Sequence, residues 1–214
     1  MDKTITAIDP QKKNQNRLNV YIENEFAFGV SRFVGRTLKI GQTLTSVQIQ
    51  ELKNADDREK AYQKALQYIS YKPRTESEVV NKLKVSDFGQ LIVHSVIAEL
   101  QEKNYLNDVE YAADWVQIRS ASKPRSKKQL FYELKKKGIS EEGIQEAIKN
   151  APDDFESALK LSSKYLNRYQ HLSEIEFRKK MLGVLARRAY PYEIINRVID
   201  KNLSEKIKNK LNVE

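Results

Sequence analysis

The sequence predicts a mainly α-helical protein: a tandem array of three three-helix repeats, preceded by a small N-terminal β-hairpin module. Three observations carry this. An apolar pattern recurs at a spacing of 51 positions, helix-start signatures recur along the chain, and the first 54 residues instead hold short β-rich runs parted by polar turns. With 7 Gly and 5 Pro, the chain is also too poor in turn residues for a β-sandwich.

In residues 1–54, Leu18-Asn19-Val20-Tyr21-Ile22 and Phe26-Ala27-Phe28-Gly29-Val30 flank the turn Glu23-Asn24-Glu25 and read as a hairpin. Ile8 and its neighbours offer a third strand, beyond the polar stretch from Gln11 to Asn16. Lys39-Ile40-Gly41-Gln42 reads as a further turn, and Val47 to Leu52 as the start of a helix.

Helix starts are then legible as capping boxes, in which the side chain at the N-cap and the one three residues later satisfy free N–H groups of the first turn. They fall at Asp56…Glu59, Thr75…Glu78, Asn107…Glu110, Ser126…Gln129 and Ser173…Glu176. Lys72-Pro73-Arg74-Thr75 recurs as Lys123-Pro124-Arg125-Ser126. The same shift of 51 carries Val79, Val80 and Leu83 onto Leu130, Phe131 and Leu134, and then onto Met181, Leu182 and Leu185. It also carries Phe88, Val93 and Ile97 onto Ile139, Ile144 and Ile148, and onto Tyr190, Ile195 and Ile199. Ala61 and Ala65 fall on Ala112 and Val116, so a first helix belongs to the unit.

Each unit therefore reads as helix, Pro-containing turn, helix, tight turn, helix. In the second copy Lys135-Lys136-Lys137 place cations at a helix C-terminus, Gly138 supplies a left-handed turn residue and Ser140 caps the next helix. In the third, Ala189 replaces the glycine and Pro191 stands where the helix begins, so that turn is expected to close differently. Ser173 comes four residues early, which lengthens the middle helix by about one turn. The expected divisions are 1–54 for the β-containing module, 55–105, 106–152 and 153–214 for the repeats, the last with a short Lys-rich tail. Each unit alone has a marginal core, so the units are expected to stack into an elongated, curved array.

Composition limits function. The chain has no cysteine, which excludes disulfides, thiol catalysis and Cys-ligated zinc and suits a reducing cytoplasm. Met1-Asp2-Lys3-Thr4 begins no signal peptide, and no run reaches the ~18 apolar residues of a membrane span. P-loop, GxGxxG and GxSxG patterns are absent, and no cofactor is implied. His94 and His171 form no shared metal site or triad, and Asp153-Asp154 reads as a helix start rather than a metal site. Arg187, Arg188, Tyr190 and Tyr192 lack the His and Lys partners of a DNA-cleaving tyrosine. Neither a catalytic nor a metal-binding residue is assigned.

The net charge of +9 points to acidic partners, nucleic acid or an acidic protein face. Residues 72–103 balance acids and bases, whereas residues 123–137 hold seven bases against one acid, Glu133. The candidate binding face comprises Arg119, Lys123, Arg125, Lys127, Lys128, Tyr132, Lys135, Lys136 and Lys137, continued by Arg178, Lys179, Arg187 and Arg188. Tyr111, Trp115 and Ile118 form a stripe at helical spacing, read as core rather than as a base-stacking platform, and Phe131 falls on the apolar register. Tyr132 lies off it and reads as a surface contact.

The order and spacing of these segments resemble RecX proteins of Gram-positive bacteria. The resemblance rests on Ile5 to Ile8 with Arg17 to Val30, on Ala65 to Val79 with Leu83, on Leu106-Asn107-Asp108 with Tyr111-Ala112, and on Ser126 to Ile139. It implies a non-enzymatic regulator of the RecA recombinase, and the chain is expected to be a monomer. Such a protein binds the filament of RecA on single-stranded DNA in its groove, and limits filament growth, ATPase, strand exchange and coprotease activity. The alternative is a protein that binds nucleic acid directly through helix-turn-helix-like units.

Overall fold

The computed structural model describes residues 3–211, with side chains through Glu205. Met1, Asp2 and the side chains of the Lys-rich C-terminal stretch lie outside the described residues.

The N-terminal module is an antiparallel sheet of β1 (Lys3–Gln11), β2 (Asn14–Ile22), β3 (Glu25–Ser31) and the short β4 (Thr43–Leu44), in the order β3-β2-β1-β4. The hairpin turn lies where the sequence puts it. Glu23 and Asn24 both take positive φ, 53° and 67°, the geometry that matches the twist of two paired strands. The third strand is β1, and the Lys39–Gln42 turn closes through Gly41 at φ 88°. A single turn of helix, α1 (Arg32–Gly35), follows β3. Ile5, Val20, Ile22, Phe28, Val30 and Leu44 make one apolar face.

That face is covered by α2 (Ser46–Ser70), which runs unbroken through residues 54 and 55 because nothing in it interrupts a helix. Its start is the capping box of Thr45 and Gln48. Asp56 is therefore not a helix cap. It sits in mid-helix, 2% exposed, and its carboxylate accepts from Ser31 N–H (2.7 Å), Arg17 (2.8 and 3.2 Å) and Lys60 (2.8 Å). Burial would raise this carboxyl, but the Arg17, Lys60 and Ser31 donors outweigh it and hold it below the ordinary value. Ile49 and Leu52 of α2 pack on the sheet, while Ala61, Ala65 and Leu66 serve the first repeat. One helix thus belongs to two cores.

The first repeat is completed by α3 (Glu76–Lys84) and α4 (Gln90–Glu102). The second comprises α5 (Asp108–Ser122), α6 (Lys127–Lys136) and α7 (Glu141–Lys149). The third comprises α8 (Asp154–Tyr169), α9 (Glu174–Ala186) and α10 (Tyr192–Leu211). The chain divides into two compact units, residues 1–106 and 107–214. The first holds the sheet and repeat one, the second repeats two and three.

The apolar register holds in space. Leu83, Leu134 and Leu185 are each fully buried at equivalent positions, as are Val93, Ile144 and Ile195 to within 2%. Thr75, Asn107, Ser126, Ser140, Asp153 and Ser173 are N-caps. The early Ser173 gives α9 13 residues, against 9 in α3 and 10 in α6. The third tight turn departs from expectation, since it closes like the other two. Asp87, Gly138 and Ala189 all take left-handed φ, at 64°, 83° and 57°. Phe88, Ile139 and Tyr190 N–H then bond back to the carbonyls of Leu83, Leu134 and Leu185 at 3.3–3.5 Å. Conserving this bond outweighs the steric cost of a Cβ in the left-handed region at Asp87 and Ala189.

Candidate basic interface of the second unit

Helix α6 is set by its cap. Ser126 is buried, its hydroxyl accepts from Gln129 N–H at 3.1 Å, and it donates to the carbonyl of Arg188 at 3.0 Å, next to the third tight turn. Four further contacts fasten repeat two to repeat three. Lys127 N–H donates to Asp154 (2.8 Å), Ser157 Oγ donates to the Arg125 carbonyl (3.0 Å), and Lys160 and Lys164 reach the Ser120 and Ser122 carbonyls at the C-terminal end of α5 (3.0 and 2.9 Å). Tyr190 is a core residue, its hydroxyl 2.8 Å from Ser157 Oγ, and burial pushes its phenol up to about 12. The repeats therefore present their surfaces from one fixed frame.

The candidate residues divide by what holds them. Arg119 and Arg125 do not point free charge at solvent, because both donate through Nε to Glu133 at 3.0 Å. Glu133 also accepts from the Trp115 indole at 3.0 Å. This lone acid among seven bases is a clasp that the sequence reading passed over, and its isolation was the signal. Lys135 pairs with Glu141 at 2.6 Å and Arg178 with Glu174 and Asp200, and these partners raise both groups above their ordinary values. The Lys137 ammonium lies 5.8 and 5.4 Å from the Tyr111 and Trp115 ring centres.

Lys123, Lys128, Lys136, Lys179 and Arg187 are exposed, and Lys127 and Arg188 half-buried, with no ion-pair partner among the described residues. Their positions repeat. Lys127, Lys128, Lys136 and Lys137 correspond, at the spacing of 51, to Arg178, Lys179, Arg187 and Arg188. Repeat one has Glu76, Ser77, Val85 and Ser86 there. Tyr132 stands 58% exposed between the free lysines of α6, with Phe131 half-buried beside it. Tyr111 and Trp115 stack at 6.0 Å on the core's edge, but Ile118 does not join them: it is 62% exposed, one step too far round the helix.

Elsewhere, His94 and His171 are exposed, and no group of three or more His, Asp or Glu among the described residues could hold a metal ion. No described helix is long and apolar enough to cross a membrane.

Four family descriptions match the chain in order: regulatory protein RecX N-terminal domain at residues 3–51, and the first, second and third three-helix domains of RecX at residues 61–100, 107–148 and 152–199. The regulatory protein RecX of Bacillus velezensis is 32% identical over 92% of this chain and 76% of its own length, and that of Bacillus subtilis 31% over the same shares. A crystal structure of regulatory protein RecX superposes with a TM-score of 0.72 at 29% identity, over 92% of this chain and 99% of its own. RecX from Lactobacillus salivarius gives 0.61 at 30% identity, over 69% and 97%. With the N-terminal domain and the three three-helix domains matched in order, the chain belongs to the RecX family of regulatory proteins.

Proposed function

We propose that the protein is a non-enzymatic, cytoplasmic regulator of the RecA recombinase that binds the filament of RecA on single-stranded DNA. Bound in the filament groove, it limits filament growth and with it ATPase, recombinase and coprotease activity in DNA repair and the SOS response. The observation that carries this reading is the doubled set of cations on repeats two and three, Lys128 and Lys136 with Lys179 and Arg187. A rigid frame offering charge twice at matching positions suits a partner that is itself periodic and anionic. Family membership supports a regulatory role, since the relatives carry the name regulatory protein RecX, and that role is what the RecA reading builds on.

The test is the ATPase of the cognate RecA on single-stranded DNA with substoichiometric amounts of this protein. Inhibition is expected from the native chain. The variant K128E/K136E/K179E/R187E should lose at least tenfold in potency while keeping its helical circular dichroism. Absence of inhibition by the native chain would remove the RecA reading. Binding to naked single strands as tight as to the filament would favour the direct nucleic-acid reading. Trp115, the only tryptophan, lies beside Lys137 and Arg119 and reports binding by its fluorescence.

A further inference from the structure

A second cationic surface lies in the first unit, outside residues 72–103 where acids and bases balance. Between the sheet and α2 runs an open trough of about 1170 Å³. Its walls carry Arg17, Arg32, Lys60 and Lys64 against one carboxylate, Glu59, which is engaged by Gln63 at 2.9 Å. The amides of Asn14, Asn16 and Gln67 add donors and acceptors, and the β1–β2 turn that leads into Asn14 consists of the exposed Lys12 and Lys13. Phe33 stands on the trough 59% exposed, with the Arg36 guanidinium 4.7 Å from its ring centre.

Two of the four wall cations are fixed in place. The buried Asp56 holds Arg17 and Lys60 together, and Arg17 also donates to the Gly29 carbonyl at 3.1 Å. Lys60 pairs with Asp57 as well, at 2.9 Å, so the floor is close to neutral and the uncancelled charge of the trough comes from Arg32 and Lys64. Arg32 and Lys64 are exposed and have no ion-pair partner among the described residues. A preset floor, two exposed cations, flanking amides and one open aromatic face are what a single nucleic-acid strand needs: neutralised phosphates and a ring on which a base stacks. A double helix keeps its bases stacked on one another and offers none to Phe33.

We infer that this trough is a binding site for single-stranded nucleic acid, separate in its residues from the basic face of repeats two and three. The Asp56 clasp keeps its floor, Arg32 and Lys64 contact phosphates, and Phe33 stacks a base. The site does not depend on the regulatory reading.

The test is fluorescence anisotropy of a labelled oligo-dT strand against the full chain across a salt series. It is run in the native background and in K128E/K136E/K179E/R187E, which lacks the other basic face. R32E/K64E should lower affinity at least tenfold in both backgrounds. It should also flatten the log–log salt dependence by about 1.4, two contacts at ~0.7 each for a single strand. F33A should cost about fivefold or more without changing that slope, as lost stacking does. All three positions are exposed, so melting temperatures should stay level. Unchanged affinity and slope in both backgrounds would overturn the assignment, as would complete loss of binding in the four-charge variant alone. Displacement of the strand by polyglutamate at equal concentration would overturn it in favour of an acidic protein partner. RecA inhibition is read separately, so failure of the regulatory reading leaves the oligonucleotide result intact.

Discussion

Repeat one and repeats two and three use the same interior to present different exteriors. Leu83, Leu134 and Leu185 are interchangeable in burial, and the three tight turns make the same backbone bond. Yet where the second and third repeats carry Lys136 and Arg187, the first carries Val85, 89% exposed. Packing constrains positions that face inward to shape and volume, whereas an outward position answers only to solvent and partners. The repeat is thus a property of the core, and the difference in charge between the repeats is a property of the surface.

The most severe way to test this equivalence is to empty each core in turn. L83A, L134A and L185A should each cost ~3 kcal/mol, the usual range for a fully buried leucine, read by denaturation together with site-resolved hydrogen exchange. Costs that differ by more than twofold would show that the three interiors only look alike.

Next in size is D56N, which should destabilise by about 2 kcal/mol, less than a fully enclosed ion pair because Arg17 and Lys60 keep contact with solvent. Exchange protection should fall in the sheet and α2 and stay unchanged in α5 to α10. The folded-state carboxyl is depressed, so its contribution is present above the unfolded value near 4 and is lost as pH falls through the folded value. The native chain should therefore lose stability on acidification below ~4 faster than D56N does.

The smallest effect separates the turns. A189G should stabilise and G138A destabilise, each by ~1 kcal/mol, since both positions need left-handed φ and only glycine adopts it freely. Equal and opposite shifts in melting temperature would confirm a shared geometry. A neutral A189G would mean that the third turn relaxes on its own terms.

The sequence made the helical repeat plain because its signals are local: cap residues, helical spacing of apolar side chains and the register of 51. It misplaced Asp56, whose spacing to Glu59 mimics a cap, because the partners that define its role lie 39 and 25 positions away at Arg17 and Ser31. The charge count drew attention to residues 123–137 but could not tell paired cations from unpaired ones. Arg119 and Arg125 look the same as Lys128 on paper, and only the fold reveals that Glu133 holds the first two. Ala189 misled for a different reason: propensity disfavours it in a left-handed turn, and the surrounding core overrides propensity.

Helix α2 gives the N-terminal sheet a purpose that its size conceals. A helical repeat leaves an apolar flank bare wherever its first helix outruns its partners, and that flank needs an element to cover it. Here the first helix of repeat one extends backwards past its own repeat, and the sheet folds over that extension. Removing residues 3–44 would expose Ile49 and Leu52 and leave the Asp56 carboxylate without Arg17 and the Ser31 N–H. The sheet is in this sense the lid on the backward extension of α2, and a shortened chain without it should fray from α2 inward.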